Sequence, residues 1–453
     1  MRNLSAALIT ALLLSSCSLA PDYARPETAL PTAWSIEQKQ QAAIAADWWK
    51  GFGSQSLDSL MLAALENNHD LRAGVQRVAQ ARATAKIAGA DLFPTLGGDA
   101  GASKTRTNPA SGKTTTNTSL SAGLDAAYEL DLFGGNRNAA DSAALGADAT
   151  AFDEDALRLV VMGDVARTYF TILSLRERVA IAQSNLKASR EIERIIRAQR
   201  EAGTQSELEV VRQSGVVSTR EATLASLEQQ MAAAENALAV LIGRAPQTVE
   251  FDGKSLDGLT VPNIAAGQPA DLLQRRPDMR AAESRLIAAH ADIGVARAAM
   301  FPSLSLGTGA GLSLPGFGDP STTIMSLAAS LVVPLFQGGR LEGGVERTTA
   351  RQRELAELYV GESLTAMQEG EDALSAVKAA WTRESAFSDA AANARRAYEI
   401  TRARYDAGNI DFQTLLDAQS EKLSAEDSLA QARLARLTAA TDLYMALGGG
   451  WEG

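Results

Sequence analysis

Cysteine is almost absent: Cys17 is the only one in 453 residues. A lone thiol has no intrachain disulfide partner and no second ligand for a Cys-x-x-Cys metal or redox site. Histidine is nearly as scarce. His69 and His290 do not correspond in the internal repeat described below, so they read as surface residues rather than as a metal cluster. Aromatic residues make up only 5% of a chain that is 46% hydrophobic, which points to closely packed Ala-rich helices rather than one thick globular core. Basic charge is not in excess. The net charge is −11 and no Lys/Arg cluster stands out, so no nucleic-acid partner is expected. Proline stops at Pro334, and beyond it nothing sterically forbids long helices. No nucleophile–base constellation can be assembled, and the Gly-Gly pairs 134–135 and 338–339 lack the Lys-Ser/Thr of a phosphate loop. Neither an enzyme nor a non-covalent cofactor is expected. The acids Asp153, Glu154 and Asp155 are expected to open a helix, where negative charge suits the dipole.

What is present is a unit used twice. Ala90-Asp91-Leu92-Phe93-Pro94-Thr95-Leu96 returns as Ala298-Ala299-Met300-Phe301-Pro302-Ser303-Leu304, an offset of 208 (302 − 94). Asp70-Leu71-Arg72-Ala73 matches Asp278-Met279-Arg280-Ala281 at the same offset. Leu132-Phe133-Gly134-Gly135 matches Leu335-Phe336-Gln337-Gly338-Gly339, and Arg197-Ala198…Ala202-Gly203 matches Arg402-Ala403…Ala407-Gly408 at offset 205. A period this long means duplicated domain halves rather than a solenoid of short repeats.

The N-terminus reads as a targeting segment. Arg2 supplies the positive end, and Leu4 to Leu14 form an apolar stretch too short to span a membrane. It ends in Leu14-Ser15-Ser16-Cys17, which resembles a bacterial lipobox. Residues 1–16 would then be a lipoprotein signal peptide, with Cys17 the first mature residue, carrying N-acyl and S-diacylglycerol lipid. Cleavage after Ser18-Leu19-Ala20 is the alternative and would discard Cys17. Residues 17–50, with Pro21, Pro26 and Pro31, read as an extended strap or as a disordered tether, parts of which dock through Trp34, Trp48 and Trp49.

Ser56 to Asp91 has helical periodicity, with Asp70 able to cap a second run from Leu71 and Pro94 ending it. Two strands follow. The second alternates Leu120, Ala122, Leu124, Ala126, Tyr128, Leu130 and Leu132 against small or polar residues, and the first, Thr95 to Lys104, alternates more weakly. Asn138 to Ala202 then offers about 65 helical residues, roughly 95 Å if continuous. Gly203 breaks it, and Ser206 to Ile242 returns as the second arm of a hairpin. The second half repeats the plan: a helix from Asp278 to Met300, strands Ser303 to Leu314 and Thr323 to Leu335, then helices Leu341 to Ala407 and Asp411 to Leu447 about Gly408. This divides the chain into a first repeat, 51–243 (strands about 95–132), a linker, 244–269, a second repeat, 270–448 (strands about 303–335), and a tail, 449–453.

Four alternating strands match the roughly 9–11 residues of membrane-barrel strands. Four cannot close a barrel, and an open edge in lipid leaves backbone groups unpaired. Either several chains share one barrel, or the strands are soluble and pack on helices.

The stretches Cys17 to Tyr23, Ala90 to Leu96, Tyr128 to Gly134, Asp271-Leu272-Leu273-Gln274-Arg275-Arg276-Pro277-Asp278, Ala298 to Leu304 and Thr414-Leu415-Leu416-Asp417-Ala418-Gln419 resemble the TolC/OprM-type outer-membrane factor family, in its lipoprotein efflux (NodT-like) branch. The resemblance implies a mixed α and β fold, with long helical hairpins forming a periplasmic α-barrel. Four membrane strands per chain would be shared as a twelve-stranded β-barrel in a homotrimer. It implies an outer-membrane exit duct of a tripartite efflux system in a Gram-negative bacterium, served by a periplasmic adaptor (membrane fusion protein) and an inner-membrane pump, RND type. Ser18 after the cysteine fits outer-membrane sorting. A type I secretion duct of the same fold and a periplasmic coiled-coil adaptor or structural protein are the alternatives.

Two sites follow. The turns Gly203-Thr204-Gln205 and Gly408-Asn409-Ile410 end the longest helices and are expected to dock the adaptor, or to be plain helix-turn residues. Asp417 is expected to ring a closed pore, or to be an ordinary surface acid. Its repeat partner is Arg212 (417 − 205), and the flanking Leu415-Leu416 corresponds to Val210-Val211, so packing is expected to persist while charge inverts. Several family members carry an Arg where Ser420 stands, which puts a closing salt bridge from that position in doubt.

Overall fold

A computed structural model describes residues 19–28, 30–36, 45–110, 112–248, 253, 255–262, 264, 266–314 and 320–449. The signal segment, Cys17 and residues 450–453 lie outside the described residues. The chain forms two compact units, each drawing on both halves of the repeat: residues 1–27, 76–152 and 280–361, and residues 28–75, 153–279 and 362–453.

The elements are α1 (Gln55–Asn67), α2 (His69–Ala90), β1 (Thr95–Thr107), β2 (Thr115–Leu130), α3 (Gly135–Glu201), α4 (Glu207–Leu241), a helical turn at Leu272–Arg275, α5 (Pro277–Ala298), β3 (Ser303–Leu314), β4 (Thr322–Val332), α6 (Arg340–Asp406) and α7 (Phe412–Ala446). The repeat is kept to the residue. The helices α3 and α6 have 67 residues each, α4 and α7 have 35 each, and both pairs are offset by 205 (340 − 135; 412 − 207). Among the described residues no helix is long and apolar enough to cross a membrane.

In the first unit the four strands make one antiparallel sheet in the order β1-β2-β3-β4, so the join between repeats is the β2–β3 ladder. Its register pairs Leu124 with Ala310 and Tyr128 with Leu306 on one face, and Asp125 with Gly309 and Glu129 with Ser305 on the other. The β2 strand starts five residues before Leu120, because Thr115 to Ser119 pairs with Ser103 to Thr107 by backbone bonds that need no apolar alternation. The β4 strand stops before Pro334, which has no N–H to give a ladder.

The strap lies along α5. Arg297 donates to the Leu19 carbonyl (3.1 Å), His290 bonds the Pro21 carbonyl, and Arg25 makes a two-pronged pair with Glu283. From 297 to 283 the helix rises about 21 Å. From 19 to 25 an extended chain reaches about 20–22 Å. The strap is therefore nearly straight and antiparallel to α5. His290 is not the surface histidine expected, since its ring is half-buried, edge-on to Tyr23. Burial, with Glu283 nearby, pushes the Tyr23 phenol up to about 12.

In the second unit Trp34 donates to the Gly267 carbonyl at 3.0 Å, while Trp48 stacks on Tyr444 with ring centroids 4.9 Å apart. All three strap tryptophans are buried, as their docking role requires. The cap expected at Asp70 is Asn68, whose Oδ1 accepts from the N–H groups of Asp70 and Leu71. Asp153, Glu154 and Asp155 open no helix. They sit inside α3, because that helix starts at Gly135. There burial raises the Glu154 carboxyl above its usual range.

The Leu-Leu-Gln-Arg-Arg-Pro-Asp run acts as a clamp. The Arg276 side chain, 12% exposed, meets Asp278 at 2.7 Å and Glu369 of α6 at 2.5 Å, and donates to the Ala446 carbonyl that ends α7. One guanidinium thus joins three elements with charge-assisted bonds, which few other side chains could do.

Candidate functional site

Both long hairpins turn in the same way. Gly203 has φ +76° and Gly408 φ +75°, a left-handed conformation that a Cβ disfavours. At the first turn Thr204 N–H donates to the Gln199 carbonyl and Gly203 N–H to that of Arg200. At the second, Asn409 N–H donates to Arg404 and Gly408 N–H to Tyr405. This paired-bond ending satisfies the last carbonyls of each helix. The returning helices start differently. Asp411 caps α7 by accepting from the Thr414 N–H at 2.8 Å, whereas Ser206 makes no side-chain cap bond.

The fold brings the two turns together. Ile192 and Ile196 of α3, Val210 of α4, and Phe412 and Leu415 of α7 form one buried cluster, with Tyr398 and Tyr405 of α6 packed on it. Burying a side chain of this size contributes roughly 1.5–3 kcal/mol. Above the cluster a cleft is lined by Gln199, Gln205, Tyr405, Asp406, Gly408 and Ile410. Burial raises the Tyr405 phenol above its ordinary value, against a bond with Gln199 that lowers it. Of the six turn residues, Gly203, Thr204, Gly408 and Asn409 are exposed, while Gln205 and Ile410 are half-buried where the cleft begins. The two turns therefore flank one shared cleft.

Asp417 lies exposed on α7 and accepts a bond from Gln413 at 2.8 Å. Arg212 is exposed on α4. Packing persists at only one of the two flanking pairs. Val210 and Leu415 share the buried cluster, but Val211 is 59% exposed while Leu416 packs against it.

Behind the tip the hairpins are joined by ion pairs between α3 and α7: Arg178 with Asp427 at 2.6 Å and Arg433 with Glu177 at 3.1 Å. Burial pushes the Glu177 carboxyl up, against the attraction of Arg433. Gln213 of α4 donates to the Ser189 carbonyl at 2.7 Å. No local pattern points to this arrangement, because the α3–α7 partners lie about 250 residues apart. Among the described residues no group of three His, Cys, Asp or Glu could hold a metal ion.

A family model described as "Outer membrane efflux protein" matches residues 60–244 and 269–449. The pyoverdine export outer membrane protein OpmQ of Pseudomonas aeruginosa is 39% identical, over 100% of this chain and 98% of its own. The cation efflux system protein CusC of Escherichia coli is 30% identical over 97% and 98%. Among solved structures, the outer-membrane channel OprN superposes with a TM-score of 0.88 at 30% identity, covering 96% of this chain and all of its own.

Proposed function

The chain belongs to the outer membrane efflux protein family and is an outer-membrane efflux channel, and from that premise we propose how its parts assemble and what they contact. The carrying observation is the open sheet. Among the described residues β1 and β4 each pair on one side only. In lipid each unpaired backbone group costs several kcal/mol, so the edges must meet. With four strands, β1 and β4 run in opposite directions, and β4 of one chain can continue antiparallel onto β1 of the next. Such a head-to-tail contact closes as a ring. Three copies give the twelve-stranded barrel of the trimeric channels to which this chain is similar.

The barrel lies in the outer membrane, and a large helical part lies in the periplasm, where the channel works with an adaptor and an inner-membrane pump. The pump is read as RND type on the resemblance to the lipoprotein efflux branch. Relatives of similar coverage are named for pyoverdine and for cations, so the duct itself does not set the cargo. The adaptor docks on the cleft between the Gly203-Thr204-Gln205 and Gly408-Asn409-Ile410 turns, and Asp417 faces the pore at its closed end.

Cys17 carries the lipid anchor. Support comes from Leu19, held by Arg297 only six residues before β3 begins. The first described residue of the strap therefore sits near where the chain enters the membrane. Mass spectrometry should find a diacylglyceryl and acyl adduct on Cys17. An unmodified mature N-terminus, or one starting at Pro21, would remove the anchor.

The channel is tested by reconstitution. Protein extracted from outer membranes should run as a heat-resistant trimer and conduct in planar bilayers. A water-soluble protein that does not conduct would refute the assembly. Co-purification from crosslinked cells identifies the adaptor and the class of pump.

A further inference from the structure

Behind the tip, α3, α4 and α7 line a half-open groove of about 190 Å³. Its polar lining is Arg178, Arg220, Thr223, Ser420, Ser424 and Asp427, and its remaining walls are apolar. The polar groups are unequally matched. Asp427 is fully engaged: both of its oxygens take Arg178, and Gln431 donates to one of them. Thr223 donates to the Thr219 carbonyl. Arg220 is half-buried, and among the described residues no carboxylate or other acceptor reaches its guanidinium. Ser420 and Ser424 are exposed at the mouth of the groove, and among the described residues their hydroxyls make no hydrogen bond, so both are open to a ligand.

The contrast with neighbouring arginines is sharp. Arg176, Arg178 and Arg433, half-buried on the same helices, each meet a carboxylate. A charge withdrawn from water without a partner is costly. The effect is visible in Arg220, whose hold on its proton falls below the usual range through burial alone. Nor does the duplication explain the side chain. The repeat partner of Arg220 is Ala425 (220 + 205), buried against Ala391 and Ala394. The first repeat therefore keeps a guanidinium where the second has plain packing.

We propose that this groove binds a small oxyanion, a carboxylate or phosphate group, through Arg220 and the hydroxyls of Ser420 and Ser424. A guanidinium offers a planar fork to such a group, and hydroxyls can donate to its remaining oxygens. Apolar walls strengthen the attraction by lowering the local dielectric. The donors come from α4 (Arg220) and α7 (Ser420, Ser424), one helix from each hairpin. An occupant therefore ties the first hairpin to the second. This latch rests on the channel reading above; the binding does not.

The test uses the full-length trimer in detergent. Calorimetric titration with inorganic phosphate, at ionic strength matched with chloride, should show saturable binding. A parallel arm with acetate asks whether a carboxylate alone suffices. Loss of a charged hydrogen-bond partner should weaken binding by roughly tenfold or more in Arg220→Gln. Arg190→Gln, which removes an exposed arginine paired with Glu221, should leave it unchanged. In planar bilayers phosphate should lengthen closed dwell times of the wild type and not of Arg220→Gln. No saturable heat in the wild type, or equal affinity in Arg220→Gln, would overturn the site. Binding without any change in dwell time would overturn the latch. Conductance itself reports separately on the channel.

Discussion

Burial sets the behaviour of Tyr444. It is 6% exposed under Trp48, and burial pushes its phenol from 10 up to about 12. Between pH 10 and 12 the unfolded chain releases this proton and the folded chain does not. Stability from this group is whole below pH 10 and is lost as pH rises through that window. The loss is on the order of 2 kcal/mol. Melting curves across pH 9–12 should fall less steeply for Tyr444→Phe than for the wild type. An unchanged slope would show that the phenol is not the titrating group. Asp417 is a different kind of residue, exposed and, among the described residues, hydrogen-bonded only to Gln413 on its own helix. Three such carboxylates around a pore, about 7 Å apart in water, would repel by roughly 0.6 kcal/mol per pair. That is too weak to govern closure, so on the proposed reading packing would hold the gate and Asp417 would act on ions. Asp417→Ala should weaken block by multivalent cations in single-channel recordings. Undiminished block would remove it from the pore.

At the scale of elements, the two hairpin turns are held together by their buried cluster. Leu415 is 1% exposed within that cluster, and truncating a leucine of this kind costs about 2–5 kcal/mol. Leu415→Ala should loosen α7 from α3 and raise the fraction of time the channel is open, while leaving the barrel assembled. Trimer yield and open probability, measured together, separate those effects. The strap depends on a similar fit. Trp34 lies so close to Gly370 that a Cβ there would meet its ring at 2.5 Å. Both Trp34→Ala and Gly370→Val should free this part of the strap. Limited proteolysis should then cut near Ser35 much faster than in the wild type. Equal rates would mean that Ser35, bonded to Glu371, suffices to hold it.

For the whole molecule, the proposed docking surface follows from the duplication. Each chain presents two turns with one shape and different side chains, Thr204 and Gln205 against Asn409 and Ile410. A trimer therefore offers six turns of two alternating kinds, which suits a partner with sixfold character. Photo-crosslinkers at Gln205 and Asn409 should trap the adaptor in cells, and one in the Asn108–Gly112 loop should not. The reverse result would invert the orientation of the channel.

The sequence by itself determined the elements. Phe-Pro marks, strict alternation in 120–132 and the glycines at 203 and 408 are local signals, because strand, turn and helix are set by neighbouring residues. Helix ends were legible to within a few residues for the same reason, although the cap at Asn68 was read two residues late. The tertiary structure decided which distant groups meet. No local pattern could show that His290 would hold the strap at Pro21, or that Arg276 would join Asp278, Glu369 and Ala446. Nor could it show that Arg220 would find no acceptor among the described residues. An unpaired charge is a property of everything packed around it, and that environment exists only once helices far apart in the chain have come together.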